Sequence, residues 1–486
     1  MRVSSTPVIL ACFEIISHFK LFECSDNLSP RVFIAASPGV PRGNFDLRKI
    51  FGCPENDSSV RYVEIRWYNI HQNVSLALYD REPKDDDVSN HLLRISPLDH
   101  TSGYFLTRYL LPKVELNGTE NLSEKCMFYW VAVLDRRSRI SSYDCFRGFP
   151  FWMKKSRKYL ENVQVRHAFI PGTHNSGTYN YYVPHRSHSR VTQFVECQDE
   201  SVFNQLFFGA RYFELRASFS PKRRQNRGGS PSECGIDGKA CDGTEFWSYH
   251  GSFVTLGSLK QIAMDIRDFL DSTEEIVLID LHKFKIKGNW FWTITLHLEL
   301  WKLLVDILGR HMSPFSPELT FGEMWKSNRR LIVSSIYPMQ NLTKCLWPSP
   351  THLWPNTEDF SQLELFFDQR LCSEVAKSSG ITVTKGQLTP RPGLRLMRNI
   401  FRNQGGVRYF SPEINRRIDR MFFGKWACAN VVAVDYLLSS DVVRIAIIVN
   451  EMRARNSTIP GRPYSTENLQ DFSRFRPKYW RARDEL

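Results

Sequence analysis

The sequence predicts an α/β protein: a distorted TIM-type (β/α) barrel preceded by a small all-β sandwich. Two patterns carry this reading. Residues 31–148 hold short runs that alternate apolar and polar with a period of two, separated by turn-rich pieces. From about residue 155 to 455, strand-like runs alternate with amphipathic helical ones, the pattern of a parallel sheet, over an extent that suits a barrel better than an open sheet.

The 486-residue length fits two or three domains. Apolar residues make up 42% of the chain and charged residues 24%, the balance of a globular protein, which excludes a disordered chain. The formal net charge of +13 favours anionic partners: membrane surfaces, phosphorylated lipids or nucleic acid. The basic residues are spread along the chain instead of forming one block, the pattern of a solvated surface. No nucleic-acid-binding motif is recognisable, so nucleic acid is not an expected partner.

Residues 1–24 read as a secretory signal. Met1-Arg2 is a short basic start, Val8 to Phe13 is apolar, and Ile15 to Phe22 continues with interruptions at His18 and Lys20. Glu14 breaks the apolar run, and a buried amphipathic helix is the other reading. No later stretch reaches the apolar length needed to span a bilayer. Asn-X-Ser/Thr triplets stand at Asn27, Asn56, Asn73, Asn117, Asn121, Asn341 and Asn456, which fits a glycosylated protein. Setting aside Cys12 of the eleven cysteines leaves an even number, which permits full pairing in an oxidising compartment. Cys126 with Cys145, and Cys234 with Cys241, are plausible local bridges, though connectivity stays open. A Cys-X-X-Cys pair, which would favour a metal site, does not occur.

In the 31–148 module the strand candidates are Val60 to Trp67, Val74 to Tyr79, Tyr104 to Thr107 and Met127 to Leu134. Nothing in it resembles a catalytic constellation, so it reads as a packing or recognition module. Pro150-Phe151-Trp152-Met153 and the basic stretch to Lys158 mark the boundary. Beyond it the strand candidates are Ala168 to Ile170, Ala210 to Leu215, Trp247 to His250, Ile276 to Leu281, Leu331 to Ile336, Ile381 to Thr384 and Val431 to Tyr436. Helical stretches run from Leu259 to Leu270, Trp292 to Leu308, Leu363 to Val375 and Val442 to Met452.

Catalytic groups of a barrel sit at the carboxyl ends of its strands. Those ends carry Pro171-Gly172-Thr173-His174-Asn175-Ser176-Gly177, Arg211-Tyr212-Phe213-Glu214-Leu215-Arg216, Tyr249-His250-Gly251 and Asp435. A lone His is usually structural and a lone Glu-X-Arg usually a surface pair. Two His, one Arg and two carboxylates on strand ends of one barrel are hard to explain that way.

Together these motifs resemble the X-box barrel of phosphatidylinositol-specific phospholipases C, above all the single-X-domain proteins and their bacterial relatives. The likeness spans roughly residues 160 to 450. It extends through Ile276 to Phe284, Leu346-Trp347-Pro348, Leu388-Thr389-Pro390 and Asn430 to Asp435. The preceding β module resembles the front module of arthropod-like X-domain proteins. The resemblance implies a phosphoric diester hydrolase or lyase that releases diacylglycerol and inositol cyclic phosphate from phosphatidylinositol or a related phospholipid. His174 matches the general base, Asp435 the carboxylate that orients it, His250 the general acid and Arg216 the phosphate-binding arginine. Such chemistry needs a base, an acid and a positive group beside the phosphate.

No cofactor is implied. The calcium-dependent branch carries a second carboxylate where Arg216 stands, so a fixed positive charge opposes a cation there. Asn175 and Glu214 match that branch's ligands, but two ligands serve poorly an ion that wants six to eight oxygens. Asn175 departs from the Asp of the bacterial enzymes, Glu214 from the commoner Asp, and Lys385 from a Gln or Asp that contacts the sugar. Asn175, Glu214 and Lys385 are therefore the expected substrate-binding positions. The alternative to an enzyme is a barrel that holds phosphoinositide or glycan without cleaving it. A metal-dependent phosphodiesterase barrel would need a clustered carboxylate set, which Arg216 disrupts.

The long basic loop from Ser218 to Phe246, with Lys222-Arg223-Arg224, and the ring-rich Tyr179, Tyr181 and Tyr182 before His185-Arg186 offer peripheral contact with an anionic membrane. Residues 456–486 form a tail ending Arg483-Asp484-Glu485-Leu486, one basic-for-basic change from the Lys-Asp-Glu-Leu retrieval signal. With the signal segment, the sequons and the cysteine parity, the expected location is the endoplasmic reticulum lumen, with secretion as the alternative. The oligomeric state is not legible.

Overall fold

The computed structural model describes residues 31–38, 61–70, 74–96, 101–114, 116, 122–179, 192–219, 246–251, 253–286, 293–339, 343–390 and 406–456. The segment 1–24, the Cys234 and Cys241 pair, Tyr181, Tyr182, His185, Arg186, most of the 218–246 loop and the C-terminal tetrapeptide lie outside the described residues, as do all the sequons but Asn456.

The first strands are β1 (Arg31–Pro38), β2 (Arg61–Tyr68), β3 (Ser75–Tyr79), β4 (Leu93–Ile95), β5 (Gly103–Leu110), β6 (Cys126–Leu134) and β7 (Ile140–Arg147). They pair antiparallel in two sheets, ordered β1-β2-β5 and β4-β3-β6-β7. Period-two alternation sends Ile34 and Ile65 of the first sheet and Leu76, Val131 and Val133 of the second into one apolar core. On its other face the first sheet is buried as well: Phe33, Ala35 and Tyr68 cluster there. Burial of both faces erases the alternation in β1, which is why no strand is predicted over 31–38. The predicted Cys126–Cys145 bridge joins β6 to β7.

The barrel strands are β8 (Ile170–Thr173), β9 (Tyr212–Phe219), β12 (Val277–Ile286), β13 (Leu331–Ser335), β14 (Leu346–Pro348), β15 (Thr351–Leu353), β16 (Thr382–Lys385) and β17 (Val431–Val434), while β10 (Phe246–His250) and β11 (Phe253–Ser258) form a hairpin. The parallel path runs β14-β13-β12-β9-β8-β17-β16-β15. Its two ends, β14 and β15, are consecutive in the chain and separated only by Ser349 and Pro350. Pro348 and Pro350 lack an N–H to donate, which limits ladder pairing in this segment. The strand predicted over Trp247–His250 is therefore a correction: β10 pairs antiparallel with the end of β9 and with β11 and is not a barrel stave. Apolar alternation does not encode the direction of a partner. Gly251, at φ +60, supplies the left-handed turn residue that folds β10 back into β11.

Helices lie between the staves where the apolar spacing predicts them. Leu259–Ser272 starts at Ser258, whose side chain accepts from the Gln261 N–H, and buries Ile262, Ala263, Ile266, Phe269 and Leu270. Ile294–Leu308, Phe360–Lys377 and Val442–Asn456 follow the expected stretches. Val407–Phe423 lies outside the predicted set and carries Pro412 within it. A second bridge, Cys372–Cys428, was not predicted, and the described Cys197 and Cys345 are unpaired. Cysteine parity thus does not translate into full pairing.

Candidate active site

The first motif folds as it does because two of its glycines allow close approach. A Cβ on Gly172 would lie 2.7 Å from the Tyr212 side chain of the neighbouring β9. A Cβ on Gly177 would meet Ser248 Oγ at 2.0 Å, so this glycine lets the turn after β8 sit against β10. Between them Asn175 takes a left-handed φ of +45, which Asn tolerates better than most residues. The turn is tied by Ser176 Oγ donating to Thr173 O (2.9 Å), Ser176 N to Glu214 O (2.9 Å) and His174 N to Val434 O (3.0 Å).

The structure brings His174, Arg216, Asp435 and His250 together. His174 Nδ1 lies 2.8 Å from Asp435 Oδ1, and its Nε2 lies 3.1 Å from Arg216 Nη2. A proton on Nδ1 donated to Asp435 leaves the Nε2 lone pair facing the arginine. The His250 ring stands 6.3 Å from the His174 ring, centroid to centroid and edge-on. His250 Nδ1 is 2.9 Å from the Val195 carbonyl, which can only accept, so Nδ1 carries the proton and the neutral ring has none on Nε2. Burial first, then the Arg216 charge, pushes His250 down to about 3, so it is neutral in the free protein.

Glu214 is completely buried and shared by two cations. Its Oε1 accepts from Arg216 Nε and Nη2 (both 3.2 Å), and its Oε2 lies 2.9 Å from Lys385 Nζ. Burial alone would raise this carboxyl; Lys385, with His174 and Arg216, overrides it and holds Glu214 well below the usual carboxylate range. Lys385 Nζ also lies 3.2 Å from His282 Nε2 and 5.3 Å from the Trp354 ring centroid.

Spacing in the sequence does not reveal several groups of this site. Cys197 Sγ lies 3.5 Å from Asn175 Nδ2 and 3.9 Å from His250 Nδ1; burial first, then Asp435, pushes this thiol well up. Gln198 Nε2 donates to His174 O (3.1 Å) and Val434 O (2.8 Å), holding the two strand ends that carry the dyad. The His282 and His352 rings lie 4.2 Å apart, tilted by 50°, beside Asp280, whose Oδ2 lies 3.0 Å from His352 Nε2 and accepts from Tyr212 OH at 2.8 Å. Tyr179 is a correction to the membrane-facing reading: it is buried in the core.

A divalent cation fits poorly here. The ligand-capable atoms of Glu214, His282 and His352 lie within 4.8 Å of one another, but the Lys385 ammonium already stands against two of them. Those of His174, Cys197 and Asp435 cluster likewise, but the first and last are joined to each other. Glu214 offers calcium neither oxygen free of a cation.

No family model matches the chain. It is 24% identical over 269 residues to PI-PLC X domain-containing protein 3 of Bos taurus, covering 50% of this chain and 75% of the relative. It is 25% identical over 264 residues to the human PI-PLC X domain-containing protein 2, covering 49% and 77%. Among solved structures, a mutant of phosphatidylinositol-specific phospholipase C from Staphylococcus aureus overlays 62% of this chain and 97% of its own at 13% identity and a TM-score of 0.45, too loose a likeness to carry an argument. Over about half its length, the chain is similar to the PI-PLC X domain-containing proteins, the family its motifs resemble.

Proposed function

We propose that the protein is a metal-independent phosphodiesterase that cleaves phosphatidylinositol-type lipids to diacylglycerol and inositol cyclic phosphate. The observation that carries this reading is His174, held between Asp435 and Arg216 and faced by His250. His174 Nε2 takes the proton of the inositol 2-hydroxyl, whose oxygen attacks the phosphorus. The bond from phosphorus to the glycerol oxygen breaks, and His250 Nε2 protonates that oxygen. Arg216, held by Glu214, supplies the positive charge beside the phosphate, where its planar fork matches two oxygens.

His250 loads its proton only with substrate in place, because the phosphate charge offsets the Arg216 charge that, with burial, depresses it. That dependence also favours a second reading, a barrel that binds an inositol phosphate headgroup and turns it over feebly or not at all. The deciding experiment is hydrolysis of phosphatidylinositol vesicles in excess chelator. Activity equal to that in calcium is expected, since Arg216 and Lys385 occupy both Glu214 oxygens. Activity lost in chelator and restored by calcium would overturn the metal-independent route, and binding without product would leave the second reading.

For location we propose the endoplasmic reticulum lumen. Cys126–Cys145 and Cys372–Cys428 suit an oxidising compartment, and Arg483-Asp484-Glu485-Leu486 resembles a retrieval signal. Removing those four residues is expected to move the expressed chain from cells to medium. Equal amounts of both forms in the medium would mean simple secretion.

A further inference from the structure

We propose that the front sheet is a positioning element of the catalytic dyad, with Arg66 of β2 holding the turn that carries Asp435. This inference rests on the assignment of His174 and Asp435 under Proposed function.

Two arginines of β2, Arg61 and Arg66, are each 1% exposed, and both reach out of their sheet into the barrel. Arg66 Nη2 donates to Ser439 O (2.6 Å), Nη1 to Asp419 Oδ2 (3.0 Å) and Nε to Glu64 Oε1 (2.6 Å). Ser439 ends the single helical turn Leu437–Ser439, which begins two residues after Asp435. The intervening Tyr436 has φ +49, a conformation that a bulky residue holds only when its surroundings impose it.

Tyr436 itself is held by its N–H on Cys197 O (2.7 Å) and its hydroxyl on Glu196 O (2.8 Å), while the turn that follows it is tied toward Arg66. Asn415 Nδ2 donates to Asp435 O (2.9 Å) and Ser439 Oγ (2.5 Å). Asp419 accepts from Ser440 Oγ (2.6 Å) and from the Asp441 N–H (2.9 Å). The charge that Arg66 places on Asp419 therefore secures the far end of the same turn. Burial pushes Asp419 up to about 7 even with Arg66 beside it, so loss of Arg66 leaves a carboxyl poorly able to stay ionised and accept both bonds.

Arg61 reaches the other side of the dyad. It pairs with Glu200, whose backbone carbonyl accepts from Gln205 Nε2 (2.7 Å). Gln205 also donates to Ser176 O (2.9 Å) and meets Thr173 Oγ1 (2.8 Å), the residues flanking His174 and Asn175. One strand of the front sheet thus braces the turns behind both His174 and Asp435. A module that only packed against the barrel would have no need to place two buried cations at these points.

The test uses the full chain with Arg66→Ala and Arg66→Lys. Lys keeps the positive charge but cannot form the three-pronged set of bonds. In hydrogen exchange read by mass spectrometry, peptides covering Val434 to Ser440 are expected to exchange about tenfold faster in Arg66→Ala, with a smaller effect in Arg66→Lys. Peptides covering β13 should be unchanged. On phosphatidylinositol, kcat is expected to fall about 100-fold with KM unchanged, the scale of a catalytic group misplaced by about 1 Å. Wild-type exchange over Val434 to Ser440, or faster exchange there with an unchanged kcat, would overturn the proposal. If Arg66→Ala does not fold, Arg66→Lys decides by the same criteria. If the wild type itself cleaves no phosphatidylinositol, the proposed function fails, while exchange still decides whether the front sheet clamps the turn.

Discussion

His174→Ala is expected to reduce kcat on phosphatidylinositol about 100- to 10,000-fold, the usual worth of a general base. The imidazole is the one group that joins Asp435 to the Arg216 side of the site, at 2.8 Å and 3.1 Å. Its loss removes the proton acceptor and leaves the Asp435 carboxylate, 2% exposed, without that partner. Some stability should therefore go as well, about 1–3 kcal/mol. The two effects separate by experiment: steady-state rates on vesicles report the first and urea unfolding the second. Residual turnover within twofold of wild type would remove His174 from the base role.

Glu275→Ala should be the most destabilising single change in the barrel, by about 3–5 kcal/mol in urea unfolding. Glu275 and Arg211 are both completely buried. Glu275 Oε2 accepts from Arg211 Nε (3.0 Å) and Nη2 (2.7 Å), and the carboxylate also takes the N–H groups of Met153 (3.0 Å) and Lys154 (2.8 Å). Arg211 in turn donates to the carbonyls of Phe149 and Pro150. The pair therefore pins the segment between the β module and the barrel to the amino end of β9. Burial raises the Glu275 carboxyl and lowers Arg211 in spite of their contact, so neither ion is comfortable there, and the cost of the substitution is the orphaned guanidinium. Replacing both at once with apolar residues, Arg211→Met with Glu275→Leu, should cost far less than Glu275→Ala alone. A single-variant loss below about 1 kcal/mol would show that water or another anion takes the place of Glu275.

Much of this protein is legible in its sequence because local periodicity and motif spacing reflect local constraints. Strand and helix alternation after residue 155 places β8, β9, β12, β13, β16 and β17 and the helices that cover them. His174 and Asp435 stand just past the ends of β8 and β17, where the motifs place them, whereas Arg216 lies within β9, which runs past the predicted Leu215 to Phe219. What periodicity cannot carry is the partner of a strand. Trp247–His250 has the composition of a barrel stave yet lies antiparallel on β9, and β14 and β15 are too short and proline-marked to show a period.

The tertiary structure alone decided how charges are shared. Glu214 and Lys385 are separate substrate contacts by the family resemblance but one buried pair in space, because the strands that carry them, β9 and β16, bring both side chains to the same interior. Cys197, Gln198 and Gln205 lie in no motif, and they reach His174, Asn175, Ser176 and His250 across 22 to 53 residues of chain that no local pattern records. The same holds for Arg66, which reads as one polar position in an alternating strand and stands against the turn after Asp435. Side-chain type and period fix which face of an element is buried; which charge a buried cation meets depends on where distant segments are packed.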